Sequence, residues 1–300
     1  MTGRRLSPIY LDGGGRHSLP RPRRRRIVFG WYGGKFNHLG WLLPLLPAAH
    51  HYCEPFAGSA AVLLNRVPAP VETYNDVDGE VVNFFRVLRE RPDELARAIA
   101  LTPFSREEFY EAVSGPASGP EDTGGEAASD LAGDAVGRAR LFYIRARQTR
   151  TGLAQTASLG RWANCRDTSR AGMAGAISRW LGGIEALPEI GLRLLRVQIE
   201  NRPALDVIPL YDSPRTLFYC DPPYLHETRG DRSAYGYEME RDEHVALAAA
   251  LDRCRGRVAL SGYRNGLMDE LYRDWRRFDA PPKQCHSIKQ IRREAVWLNF

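Results

Sequence analysis

The chain has 300 residues, 43% hydrophobic and 10% aromatic, enough apolar surface for a packed core; this excludes global disorder and suits one large domain carrying an insertion. No stretch approaches the roughly 18 uncharged apolar residues of a membrane span, and no apolar run follows the N-terminal arginines as a secretory signal requires. The five cysteines form no CxxC pair, so the expectation is a reducing, cytoplasmic setting without a zinc site or disulfide scaffold, and the excess of 42 basic over 36 acidic residues, net +6, favours a polyanionic partner.

Residues 1–26 read as a flexible basic tail, with Gly13-Gly14-Gly15 and a run of arginines from Arg21 to Arg26 broken by Pro22. A buried strand is expected over 51–56, a helix over 59–66 and a strand over 71–75. The next helix, 78–89, carries Val81, Val82, Phe85 and Leu88 at helical spacing, and one or two helices follow over 92–113. Residues 114–134 hold five acids, five glycines and no base, and read as a mobile acidic loop. Then the sign flips: 138–170 contains eight arginines and one acid, interleaved with Phe142, Tyr143, Gln148, Gln155, Trp162 and Asn164. Arginine, amide and aromatic side chains together hold phosphates, read base edges and stack on bases, and Arg147, Gln148, Arg150, Gln155, Arg161, Trp162 and Asn164 are the candidate contacts to DNA. The alternative is an exposed arginine-rich helix with Leu141, Phe142 and Ile144 facing a core.

Alternation then resumes: strand 196–200, helix 204–211, strand 216–220, helix 242–253, strand 257–261, helix 266–274 and strand 295–300. Strands alternating with helices imply an α/β fold with a mostly parallel sheet and ligand sites at the strands' carboxyl ends. The arginine-rich stretch interrupts that order. The division expected is a catalytic domain from 27–90 and 191–300, with a helical target-recognition lobe over 91–190.

Three segments carry chemistry. Glu54-Pro55-Phe56-Ala57-Gly58-Ser59 joins a strand to a helix through a glycine that lets backbone approach a ligand, and the absence of a full GxGxxG fingerprint counts against a nicotinamide dehydrogenase. Asn75-Asp76 ends the next strand, where an acid can accept both hydroxyls of a ribose, or where either residue can cap the following helix. Leu217-Phe218-Tyr219-Cys220-Asp221-Pro222-Pro223-Tyr224 is a buried strand stopped by two prolines. That stiff corner offers the Asp221 carboxylate and the Pro222 carbonyl as adjacent acceptors, which suits an exocyclic amino group, with the Tyr224 ring close by for a planar base.

Together with Trp31-Tyr32-Gly33-Gly34-Lys35 and the closing Glu294-Ala295-Val296-Trp297-Leu298-Asn299-Phe300, these segments resemble the Dam-like class of DNA adenine-N6 methyltransferases over about 29–300. The resemblance implies a Rossmann-like methyltransferase sheet, S-adenosyl-L-methionine as methyl donor and double-stranded DNA as substrate. It implies a cofactor pocket from Trp31, Lys35, Glu54, Phe56, Gly58, Ser59, Asp76 and Asp221, with Asp76 on the ribose and no metal. It also implies catalysis by Asp221, Pro222, Pro223 and Tyr224, the tyrosine stacking on an everted adenine. Two departures stand out: Ala60 occupies the place of a common second glycine and is expected to narrow the pocket slightly, and Pro203 falls where many members carry an acid, so no cofactor contact is assigned to it. Rival readings are a cytosine-N4 methyltransferase and a catalytically silent DNA-binding regulator. A monomer at the nucleoid is the default, with a cognate restriction endonuclease as the partner if the chain serves a restriction–modification pair. His50-His51 and the cysteines read as structural.

After the Asp-Pro-Pro-Tyr corner, residues 225–240 bring His226, Arg229, Arg232, Tyr235 and Tyr237 beside the pocket. Arg229→Ala is expected to weaken DNA binding more than cofactor binding, measured by parallel titrations; equal losses in both affinities contradict the assignment.

Overall fold

The computed structural model describes residues 25–114, 134–225, 239–281 and 294–300. The N-terminal tail up to residue 24, the acidic loop and the segment holding His226, Arg229, Arg232, Tyr235 and Tyr237 lie outside the described residues. Its centre is a seven-stranded sheet in the order β5-β2-β1-β6-β7-β9-β8. The strands are β1 (His51–Glu54), β2 (Val71–Asn75), β5 (Val197–Glu200), β6 (Thr216–Cys220), β7 (Arg257–Tyr263), β8 (Arg276–Asp279) and β9 (Glu294–Leu298). The first five in spatial order pair in parallel, and β9 runs antiparallel to both β7 and β8. Each parallel strand is followed by a helix, which the crossover between parallel neighbours requires.

The chain runs outward from β1 to β2 and β5, then returns to place β6 on the other side of β1, with His51 level with Thr216 and Cys53 level with Phe218. Strand order therefore reverses between β1 and β6, and a crevice opens at their carboxyl ends. The β1 ladder stops at Glu54 rather than Phe56 because Pro55 has no N–H to donate. Helix α2 (Ala61–Asn65) starts two residues later than expected, since Gly58 (φ 48°) and Ala60 (φ 55°) both take the left-handed conformation in the connecting loop.

Helix α1 (Leu39–Leu42) precedes the sheet, and α3 (Gly79–Glu90), α4 (Pro92–Ala100), α5 (Arg106–Ser114), α6 (Ala135–Gln148) and α7 (Gly175–Leu194) make the helical part of the molecule. On α6, Phe142 and Ile144 are buried, as the core-facing alternative requires. From 149 to 174 the chain is not helical: it forms two short 3-10 turns and the hairpin β3 (Ser169–Arg170) with β4 (Met173–Ala174). The expected division at 190 falls inside α7, and the helices beyond 90 share one apolar cluster with the sheet, in which Phe84 stacks on Tyr143 at 5.7 Å and Phe29 meets Phe84, Phe85 and Phe142. Helices α8 (Ala204–Tyr211), α9 (Arg241–Asp252) and α10 (Gly266–Leu271) complete the α/β alternation. Among the described residues no helix is long and apolar enough to cross a membrane.

The C-terminal turn of α7 is tied to β2 by a buried ion pair: Arg193 reaches Glu72 at 2.6 and 2.8 Å and the Leu63 carbonyl at 3.0 Å. Removing one partner of such a pair leaves a buried charge uncompensated. Glu72→Ala should therefore cost about 3–5 kcal/mol in urea unfolding, and the double change Glu72→Leu with Arg193→Met should recover most of it. A single-mutant loss below about 1 kcal/mol would contradict this.

Candidate active site

The loop after β1 is built by the end of β2. The Asn75 carbonyl accepts from Ala57 N at 2.9 Å, its side-chain amide donates to the Pro55 and Arg202 carbonyls, and Tyr74 OH donates to the Gly58 carbonyl at 2.9 Å. The Asp76 carboxylate accepts from Gly58 N at 2.7 Å and from Asp78 N at 3.0 Å. Asp78, not Asn75 or Asp76, caps α3, accepting from Glu80 N at 2.9 Å. Asp76 is thus fixed at the carboxyl edge, and each of its oxygens keeps further acceptor capacity.

A second element closes over this loop. Phe29, fully buried, anchors residues 27–35, and Trp31 lies against Gly58 so closely that a Cβ there would sit 2.4 Å from Trp31 Nε1. Gly58 is required twice, by its positive φ and by the indole. Ala60, in contrast, has no exposed surface and does not line the cavity: the methyl expected to narrow the pocket lies in the core beneath it. Its cost is a left-handed backbone, about 1–2 kcal/mol for a non-glycine residue.

From Trp31 the chain turns at Gly33 (φ 69°), with Gly34 N donating to the Trp31 carbonyl at 2.9 Å. That turn delivers Lys35 to the sheet edge. Its ammonium, only 3% exposed, lies 2.7 Å from Asp221 Oδ1 and 3.3 Å from Glu294 Oε1, and donates to the Gly33 carbonyl at 2.7 Å. Burial opposes the charge on Lys35, but the two carboxylates outweigh it and raise the pKa. For Asp221, burial raises the pKa, Lys35 pulls it down and Glu294 pushes it up again, with a net rise. Glu54 at the end of β1 is 2% exposed and accepts from Tyr52 OH at 2.6 Å; burial lifts its pKa to about 8. Burial likewise lifts Asp76 to about 6, against the N–H groups that bind its carboxylate.

These groups surround one cavity of about 480 Å³, inside the roughly 300–1,000 Å³ range of small-ligand sites. Trp31, Lys35, Glu54, Phe56, Gly58, Ser59, Asp76 and Asp221 all line it, so the glycine turn after β1 and the corner after β6 share one space. Among the described lining residues six are acids (Glu54, Asp76, Asp78, Asp221, Asp242 and Glu243) and Lys35 is the one cation. An apolar-walled cavity with that imbalance favours a cationic ligand. Pro203, given no contact from the sequence, lies on its wall with Ala204 and Leu205.

The corner itself departs from expectation in one respect. Asp221 and Pro223 face the cavity, while Pro222 and Tyr224 face a recess of about 10 Å³ with Ser261 and Tyr263. Tyr224 is 5% exposed; its hydroxyl lies within hydrogen-bond distance of Glu294 and, at 3.1 Å, of Asp221 Oδ1, and its ring meets Tyr263 edge-on at 4.8 Å. It is therefore not an open stacking platform here, because a buried tyrosine hydroxyl seeks a partner and finds two carboxylates. Glu294 opens the closing segment of the resemblance but has no role assigned from the sequence; β9 pairs with β7, Tyr263 opposite Glu294, and that register brings it to the corner.

The candidate DNA contacts divide. Arg150, Arg161 and Asn164 are exposed beyond the end of α6. Gln148 has no exposed surface, accepting from Trp162 Nε1 at 3.2 Å, so it joins residues within the lobe and is not placed to read a base. Trp162 packs on Phe104 and under the Arg106 guanidinium, and Arg147 donates to the Arg179 carbonyl. Gln155 faces the cavity.

A family model described as D12 class N6 adenine-specific DNA methyltransferase matches residues 31–293. The chain is also similar to a DNA N-6-adenine-methyltransferase of Escherichia phage P1, 33% identical over 76 residues; the match covers 25% of this chain and only 10% of that protein.

Glu54 generates a stability test. With a folded pKa of about 8 against an ordinary 4.5, the folded state holds an extra proton between those values, so stability falls as pH rises through that window. Glu54→Gln should remove the Glu54 share of the slope and gain on the wild type between about pH 5 and 8 in urea midpoints; parallel profiles would contradict it.

Proposed function

The chain belongs to the D12 class N6 adenine-specific DNA methyltransferases, and on that premise we propose that it transfers a methyl group from S-adenosyl-L-methionine to the exocyclic N6 amino group of an adenine everted from double-stranded DNA. The observation that carries this reading is the acid-rich cavity joined to the Asp221 corner. The residues present fit the donor: six acids around one lysine suit its sulfonium and ammonium groups, Asp76 keeps acceptor capacity for a ribose diol, and the Pro203–Leu205 wall is apolar, as the face of a base requires. The donor supplies an electrophilic methyl. What the chain contributes is position and field.

An aromatic amine is a poor nucleophile because its lone pair is delocalised into the ring. In this reading the Asp221 carboxylate, which faces the cavity, and the carbonyl of the next residue, Pro222, which borders the small recess beside it, accept its two N–H bonds, and gripping both turns the nitrogen towards a tetrahedral shape. A carboxylate has about four lone-pair sites, and the bonds from Lys35 and Tyr224 to Oδ1 leave the remainder for substrate. Alignment of this kind is worth roughly 7–11 kcal/mol. Asp221 and Glu294 also stabilise the positive charge that develops on the nitrogen, at an edge with little solvent to screen it. Burial makes Asp221 a better proton acceptor than an ordinary carboxylate, even with Lys35 opposing, so it can receive the proton that nitrogen sheds after methylation. Eversion costs a few kcal/mol. Arg150 and Arg161, exposed on the lobe, supply phosphate contacts that offset part of it.

The test is transfer of label from S-adenosylmethionine to unmethylated DNA with the product nucleosides separated. Label is expected in N6-methyl-2′-deoxyadenosine for the wild type, with a loss of about 10²–10³ in rate for Asp221→Ala. No labelled adenine in duplex or single-stranded DNA would overturn the proposal.

A further inference from the structure

Gln155 is the one amide side chain among the described lining residues of the cavity, and its position is unusual for a residue of the arginine-rich stretch. It lies in a 3-10 turn, Ala154–Thr156, pinned at both ends: Leu153 bridges to Gly30 in parallel, and the Thr151 and Thr156 hydroxyls are 2.6 Å apart. The approach to the 30–35 segment is so close that a Cβ on Gly30 would sit 2.4 Å from the Gly152 carbonyl. Yet both Gln155 amide atoms, Nε2 and Oε1, are buried without a hydrogen-bond partner among the described residues. A fold does not leave a donor and an acceptor unmet side by side without cost, and in a ligand cavity the usual resolution is a ligand carrying the complementary pair.

We propose that the Gln155 side chain turns its amide from this buried position into the cavity and reads the amino edge of an adenine there, Oε1 accepting from its N6–H and Nε2 donating to a ring nitrogen beside it, the pairing a glutamine amide makes with adenine. This assignment rests on the proposed function, which brings two adenines to the site, one in the methyl donor and one everted from DNA; the chemistry is the same for either. It gives Gln155 a positioning role inside the cavity in place of the reading of flanking DNA sequence.

The experiment compares wild type, Gln155→Met and Gln155→Glu in three measurements: affinity for S-adenosylhomocysteine by calorimetry, affinity for a target duplex with adenine or purine at the methylated position, and melting temperature without ligand. Gln155→Met should melt at or above the wild-type temperature, since it removes an unsatisfied amide, and should lose about tenfold in adenine-dependent affinity. Loss confined to S-adenosylhomocysteine identifies the donor's adenine; loss of the adenine-over-purine preference in DNA identifies the target's. Gln155→Glu, which keeps the shape but loses the donor, should share the defect. Affinities within twofold of wild type in both arms, or a fall in melting temperature without a change in affinity, would overturn the assignment while leaving the function standing. A wild type that neither binds S-adenosylhomocysteine nor methylates adenine would sink both.

Discussion

A lysine ammonium clasped between two carboxylates organises the sheet edge. Lys35 comes from the segment before β1, Asp221 from the end of β6 and Glu294 from the start of β9, and all three are buried or nearly so. Without the ammonium, two neighbouring acids in a low-dielectric recess could not both stay ionised. With it, one negative charge remains uncompensated, and the surrounding acids Glu54 and Asp76 are themselves held with raised proton affinity. The same contact that assembles three distant segments therefore sets the electrical character of the space they enclose.

That character divides the surface in two. Inside the cavity acids outnumber bases, a setting hostile to phosphate; outside it, Arg150, Arg161 and their neighbours face solvent. On the proposed function, a polyanion would be attracted to these arginines and repelled from the pocket, so that only an uncharged piece of it, a base, would enter. Acids within and arginines without are thus sorted by the placement of side chains on one chain of net charge +6.

Much of this was legible in the sequence because it rests on local signals. β2, α8 and β6 start and end where pattern and punctuation put them, and the glycine turn, the strand-end acid Asp76 and Asp221 and Pro223 of the corner line one cavity. What was not legible depends on pairings distant in the chain. β8 reads Arg-Arg-Phe-Asp, an edge strand with no apolar alternation to show it. Glu294 reaches the corner only through its register with Tyr263. The burial of Gln148 and Tyr224 follows from neighbours at Trp162 and Glu294, which no spacing within their own segments reveals. Composition read 149–174 as part of a helical lobe, whereas Gly152 and Gly172, both with positive φ, turn it into loops and a hairpin.

The continuous apolar cluster running from the sheet through Phe84 and Tyr143 into α6 has a consequence for any exchange of the helices beyond it. A segment that merely rested on the catalytic body could be exchanged for another like a tool head. Here the exchange would cut through a dry aromatic seam and detach the α7 anchor at Arg193, so a chimera must carry its donor's α3 face and Glu72 partner along with the transplanted helices.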